Sequence, residues 1–204
     1  MTITHSAGKF HILILTCCLM GCTKKPRPPV GGALSPEAAI SEFFTAIAEN
    51  KPNEACKLLV EPVKMAEYCR GQARVSAAFR SLAEEKASRF GESDAPIESQ
   101  IPALVSLERL SQIAPIEDGD NATWPANPKS PMKLIRTDGL WKIHLSDTYQ
   151  DSSQLNAVVS LFHGTAEFVS EIANEISEGK YASLEEVQSE LQLQNQLLNA
   201  RLGG

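Results

Sequence analysis

The chain has 204 residues, 43% of them hydrophobic and 22% charged, with a formal net charge of −6. That apolar share excludes general disorder, and an acidic surface repels phosphates, which sets nucleic acid aside as a partner. Without residues 1–21, whose one formal charge is Lys9, the net charge is −7 on roughly 180 residues, enough for one domain with a real core and a tail or accessory helices.

The first predicted element is a leader. Lys9 precedes an apolar run that starts at Phe10, contains His11 and closes on Leu19-Met20-Gly21-Cys22. A lone cation, an apolar stretch of about 11 residues and a small residue before the cut make a signal-peptide layout. The run is shorter than the roughly 20 apolar residues that span a bilayer. Leu19-Met20-Gly21-Cys22 resembles the lipobox of bacterial lipoproteins, in which a small residue precedes the cysteine that is diacylated and left as the new N-terminus. The resemblance implies a signal peptide over 1–21, palmitate-type lipidation at Cys22 and a chain held to a membrane of the cell envelope by its own N-terminal lipid. Thr23 stands where the resemblance associates aspartate with inner-membrane retention, and so points to the periplasmic face of the outer membrane. An ordinary secretory cut near Gly21 or Cys22 is the alternative.

Residues 22–34 read as a tether. Lys24, Lys25 and Arg27 lie among Pro26, Pro28 and Pro29, followed by Gly31 and Gly32, a mixture that disfavours packing. The cations suit anionic headgroups and solvent alike. A helix then starts on Ser35 as N-cap with Pro36 at its first position and Glu37 at its positive end, and Ile40, Phe43, Phe44 and Ile47 form its apolar face. Asn50 and Pro52 interrupt it. A second short helix is expected over 53–60, with Ala55, Cys56, Leu59 and Val60 inward and Pro62 as the stop. A third is expected over 72–89, with Val75, Phe79, Leu82 and Lys86 at near-helical spacing and Gly91 ending it.

Between 93 and 131 six prolines erase the periodicity; a strand over 97–101 and a helix over 104–113 fit what remains. Glu117-Asp118-Gly119-Asp120-Asn121 reads as an exposed turn, without the residue spacing of a calcium loop. The strongest β pattern is 133–145: Asp138-Gly139 supplies a tight turn, and Trp141, Ile143 and Leu145 alternate with Lys142 and His144 and should face a core. After Tyr149 a long helix carries Leu155, Val158, Val159, Phe162, Phe168, Val169, Ile172 and Ile176. Gly179 breaks it, and Ser183 and Glu186 make a capping-box pair for a last helix. Its positions 184, 187, 191, 194 and 198 hint at a coiled-coil seam that Gln194 interrupts, so packing on the body is the expectation. The fold class expected is α+β and helix-rich: N-terminal helices on a small antiparallel sheet over 35–149, and a C-terminal helical pair over 150–204 packed on it or on a partner.

Two segments carry a further resemblance. The helix–joint–helix of 35–59, and the hairpin 134–145 built on Asp138-Gly139-x-Trp141-Lys142-Ile143, are similar to the opening and closing elements of NTF2-like domains, the cystatin-like α+β cone. The resemblance implies four to six antiparallel strands and, in the family's enzymes, an acid or a tyrosine at the mouth of the cone. Tyr68, Asp147 and Tyr149 are residues of those types, and their spacing selects none of them. The helix over 72–89 and the C-terminal pair lie outside the family pattern.

Cys17 and Cys18 leave with the leader and Cys22 carries lipid, so Cys56 and Cys69 are the two thiols of the body. In an exported protein they either bridge or pack as two small buried hydrophobes. A metal site needs three or four ligands, and no histidine or further cysteine lies at ligand spacing. His144 and His163 are the only histidines after the leader; the default for each is a side chain at the surface of its strand or helix. No nucleophile elbow, phosphate-binding loop, dinucleotide fingerprint or zinc-protease helix occurs. Glu84-Glu85-Lys86 and Glu185-Glu186 read as solvated charges. No catalytic residue, metal or cofactor is therefore assigned. The function expected is a lipid-anchored, non-catalytic module that binds an envelope protein or a small apolar ligand. The alternatives are a helical assembly protein working through its C-terminal helices and an NTF2-like small-molecule enzyme. A deep pocket around a perturbed ionisable group would favour the enzyme, and an exposed apolar stripe along 184–198 would favour assembly.

Overall fold

The computed structural model describes residues 31–91, 113–125, 131–145, 149 and 151–202. The leader, Cys22, most of the tether, the strand expected over 97–101, all but the last residue of the helix expected over 104–113, and Asp147 lie outside them. The architecture is α+β: five helices and a four-stranded antiparallel sheet among the described residues.

Helix α1 spans Pro36–Ala48. The Ser35 hydroxyl accepts a hydrogen bond from the Ala38 amide at 3.1 Å, Pro36 fills a position that needs no donor, and Glu37 complements the positive helix end. Ala39, Ile40, Phe43 and Ile47 are buried along one face. Asn50, at φ 56°, turns the chain into α2, Pro52–Lys57. This helix is shorter than its apolar residues suggest because the sheet takes the next stretch of backbone: the Ile143 amide donates to the Leu58 carbonyl at 2.8 Å and the Val60 amide to the Ile143 carbonyl at 3.0 Å. Helix α3, Ala66–Phe90, begins six residues before the expected start at 72, and Gly91 ends it at φ 83°. Its buried face includes Val75, Phe79, Leu82 and Lys86, so the last of these leaves the solvated charge run in which it stands.

The sheet is a meander, β1 Ile116–Asp118, β2 Asn121–Trp124, β3 Met132–Thr137 and β4 Leu140–His144. The acidic turn at Gly119-Asp120 is exposed, and it joins two strands too short and too polar for the period-two pattern to show. Asp138 at φ 54° and Gly139 at φ 79° make the two left-handed turn residues that a two-residue hairpin requires. Ala122 pairs with Leu134 and Leu134 with Ile143, so the register stacks three buried side chains in one row across three strands. Trp141, Ile143 and Leu145 are buried. The Trp124 ring lies 6.0 Å from that of Phe44, centroid to centroid, which places α1 against the sheet.

Both ends of the free β4 edge are covered. Ala33 and Trp141 exchange two backbone hydrogen bonds, at 3.0 and 2.8 Å, and Leu59 bridges Ile143 in the parallel sense. Gly32 fits against Leu140 only because it lacks a side chain: a Cβ there would stand 2.7 Å from the Leu140 Cβ.

Helix α4, Ser152–Ser177, is capped by Asp151, whose Oδ1 accepts from the Gln154 amide at 2.8 Å. It runs parallel to α3, since Gly71, in the second turn of α3, meets Phe162 in the third turn of α4, and the Arg89 guanidinium lies beside Gly179 at their far ends. Gly179, at φ 77°, turns the chain into α5, Leu184–Leu202. There the Ser183 hydroxyl accepts from the Glu186 amide at 3.3 Å, and the Glu186 carboxylate reaches back to the Ala182 amide at 2.7 Å, one residue further than a regular capping box. Val187 and Leu191 join Val169, Ile172 and Ile176 in one hydrophobic cluster that also contains the α1–sheet core.

Candidate functional site

Parallel α3 and α4 approach closely at Gly71 and again near their ends, and between these points small side chains leave a gap. Ala77, Ala78 and Ala166 line a solvent-open groove of about 560 Å³. Arg74 and Ser81 of α3, His163, Glu167 and Ser170 of α4, and Asn50 from the α1–α2 turn supply its polar wall. Arg74, His163 and Glu167 are all exposed. Glu67 adds to the surrounding field: the Arg70 guanidinium beside it holds its carboxyl below the usual range, with smaller contributions from His163 and Arg74. The groove thus sets a guanidinium, an imidazole, a carboxylate, two hydroxyls and an amide over a methyl-lined wall. It therefore presents hydrogen-bond donors and acceptors and charges of both signs to solvent.

Of the residues singled out from sequence, His163 lies in this groove. His144 is half-buried on β4, on the strand face opposite Trp141, and does not line the groove. Tyr68 and Tyr149 come together in the interior. Their ring centroids are 5.5 Å apart, Phe162 lies 5.3 Å from Tyr68, and a hydrogen bond joins the two hydroxyls. Burial pushes both phenols up, so they stay neutral and pack rather than line a mouth.

Cys56 and Cys69 are both buried and both free thiols. They converge on one acceptor: the Cys56 Sγ lies 3.6 Å from the Met65 carbonyl oxygen, which also accepts the Cys69 amide at 3.0 Å. The neighbouring Cys56 thiol and burial raise the Cys69 thiol above its ordinary value, while the Arg70 charge works to lower both thiols. Lys86 is 4% exposed, and burial lowers its ammonium. Its long apolar stem accounts for its place on an inward face.

Arg74, Glu167, Ser81 and Ser170 had no distinguishing mark in the sequence, because exposed polar residues on a helix look alike before its neighbour is known. The run Ser76-Ala77-Ala78 was the available sign of a gap, but α3 carries small residues along its whole length, so it did not single the place out. On α5, Val187, Leu191 and Leu198 are buried, with Leu198 against Gly164 of α4; Leu193 and Leu197 stay exposed beside them. No protein-family model, curated protein or solved structure matches the chain.

Proposed function

We propose that this protein is a lipid-anchored component of the bacterial cell envelope, held by acylated Cys22, on the periplasmic face of the outer membrane. Its body is a non-catalytic binding module. The observation that carries the binding half is the α3–α4 groove, where Arg74 and Glu167 offer opposite charges over an alanine-lined wall. A ligand or partner segment with an anionic group for Arg74 and a donor for Glu167 fits that chemistry. Helices α1 and α2 beside a four-stranded meander support the NTF2-like likeness for the N-terminal part, and the α4–α5 pair is an addition to that pattern. Assembly through α5 has less support, because Val187, Leu191 and Leu198 of its seam are buried.

Two measurements on the intact protein test this reading. Metabolic labelling with palmitate should be abolished in Cys22→Ser, and unchanged labelling would remove the anchor. Cross-linking in solubilised membranes should capture a partner or ligand adduct that Arg74→Glu loses. Equal capture by that variant would show that binding takes place elsewhere.

A further inference from the structure

Cys56 lies within α2 and Cys69 in the first turn of α3. The Pro62 turn between them folds the chain back so that both residues meet at the Met65 carbonyl. Neither thiol takes part in the groove. Their exposure differs: Cys56 keeps 8% of its surface and Cys69 none.

We propose that Cys56 and Cys69 are the site of a covalent cross-link, formed by exchange with the disulfide of an oxidoreductase or a small-molecule disulfide, and that Cys56 is the thiol that reacts first. The inference rests on the exported location proposed above, since such links persist in oxidising compartments. The Cys56 thiolate attacks one sulfur of the incoming disulfide, forming a mixed disulfide and releasing one thiolate. Cys69 then gives up its proton, and its sulfur attacks the Cys56 Sγ and expels the second thiolate. Two protein S–H bonds are lost, one S–S bond forms, and the incoming disulfide is reduced to two thiols. The order follows from access, since Cys56 retains some exposed surface and Cys69 has none. The link would fix the corner between α2 and α3, next to the stretch 58–60 that seals the β4 edge.

The test uses the full chain carrying Cys17→Ser, Cys18→Ser and Cys22→Ser, purified folded and reduced, then incubated with oxidised glutathione and mapped by mass spectrometry after acid quenching. The expected product has lost two hydrogens and yields a Cys56–Cys69 linked peptide. It should melt about 6 to 12 °C above the reduced form, as closing a loop of this size in a domain of this length implies. Adding Cys69→Ala should trap glutathione on Cys56, whereas Cys56→Ala should leave Cys69 unmodified. Retention of both free thiols in the parent overturns the pairing, and modification of Cys69 alone overturns the order. A second arm traps thiols during lysis of cells that produce the wild-type chain. A reduced pair there, together with linkage in glutathione, overturns the exported location and upholds the pairing.

Discussion

Trp141 is buried in the inner face of the meander while both its backbone groups bond to Ala33, so one residue ties the incoming chain, the β4 edge and the core together. Replacing it with alanine leaves those backbone bonds available and removes only the ring. The expected cost is about 3 to 5 kcal/mol, the range for deleting a buried large aromatic. Urea unfolding of a chain lacking residues 1–22 measures it, and an unchanged midpoint would remove Trp141 from the core. Inward residues of this kind were readable in advance: alternation over 141–145 puts Trp141, Ile143 and Leu145 on one side whatever the rest of the fold. Leu140 was not readable, because it falls outside that alternation and is buried with Gly32, more than a hundred residues earlier, close against it. Arg74 and Glu167 were hidden for the same reason, their meeting being a property of two helices rather than of either one.

At the scale of elements, caps located helix starts well and tertiary hydrogen bonds moved other boundaries. Ser35, Ser183 and Gly91 mark helix ends that local chemistry alone dictates. The end of α2 is set by the demand of the β4 edge for the backbone of 58–60, while β2 exists because β3 offers it a partner and β1 because β2 does. The α4–α5 turn is held by a local device with a pH signature. The Glu175 carboxylate accepts from the Lys180 ammonium and the Tyr181 hydroxyl, and these two hydrogen bonds, Lys180 first, hold its carboxyl below the ordinary 4.5. A depressed carboxyl contributes stability that is whole above its unfolded value and disappears as pH falls through its folded one. The stability gap between wild type and Glu175→Gln is therefore expected to be steady near neutrality and to close as pH falls below the ordinary 4.5, read as urea midpoints along that descent. Solvent screening on the exposed Lys180 side keeps the gap small. A gap independent of pH would show that Glu175 acts through packing alone.

The whole molecule joins parts that the sequence presents as separate. Parallel α3 and α4 oblige the chain to return from the end of one to the start of the other, and the meander lies on that return path, so sheet and helices share one hydrophobic cluster. No local pattern announces such a crossover; only the apolar faces of both helices were visible. Net charge, by contrast, is a global property that sequence gives directly. A chain lacking residues 1–22 carries −7 and is expected to leave duplex DNA unretarded in gel-shift experiments even at low salt, where attraction of any basic patch would be strongest. A retarded band would reverse the exclusion of nucleic acid. The Ala33–Trp141 bridge has a consequence for working distance. It fixes Ala33 to the body, so with Cys22 as the proposed anchor ten steps of chain, Cys22 to Gly32, set the upper limit on the distance between lipid and body. Ten residues reach at most about 35 Å when fully stretched. The protein would then work on a short leash, meeting only what comes down to its own bilayer, and it could not patrol the gap toward an opposing membrane.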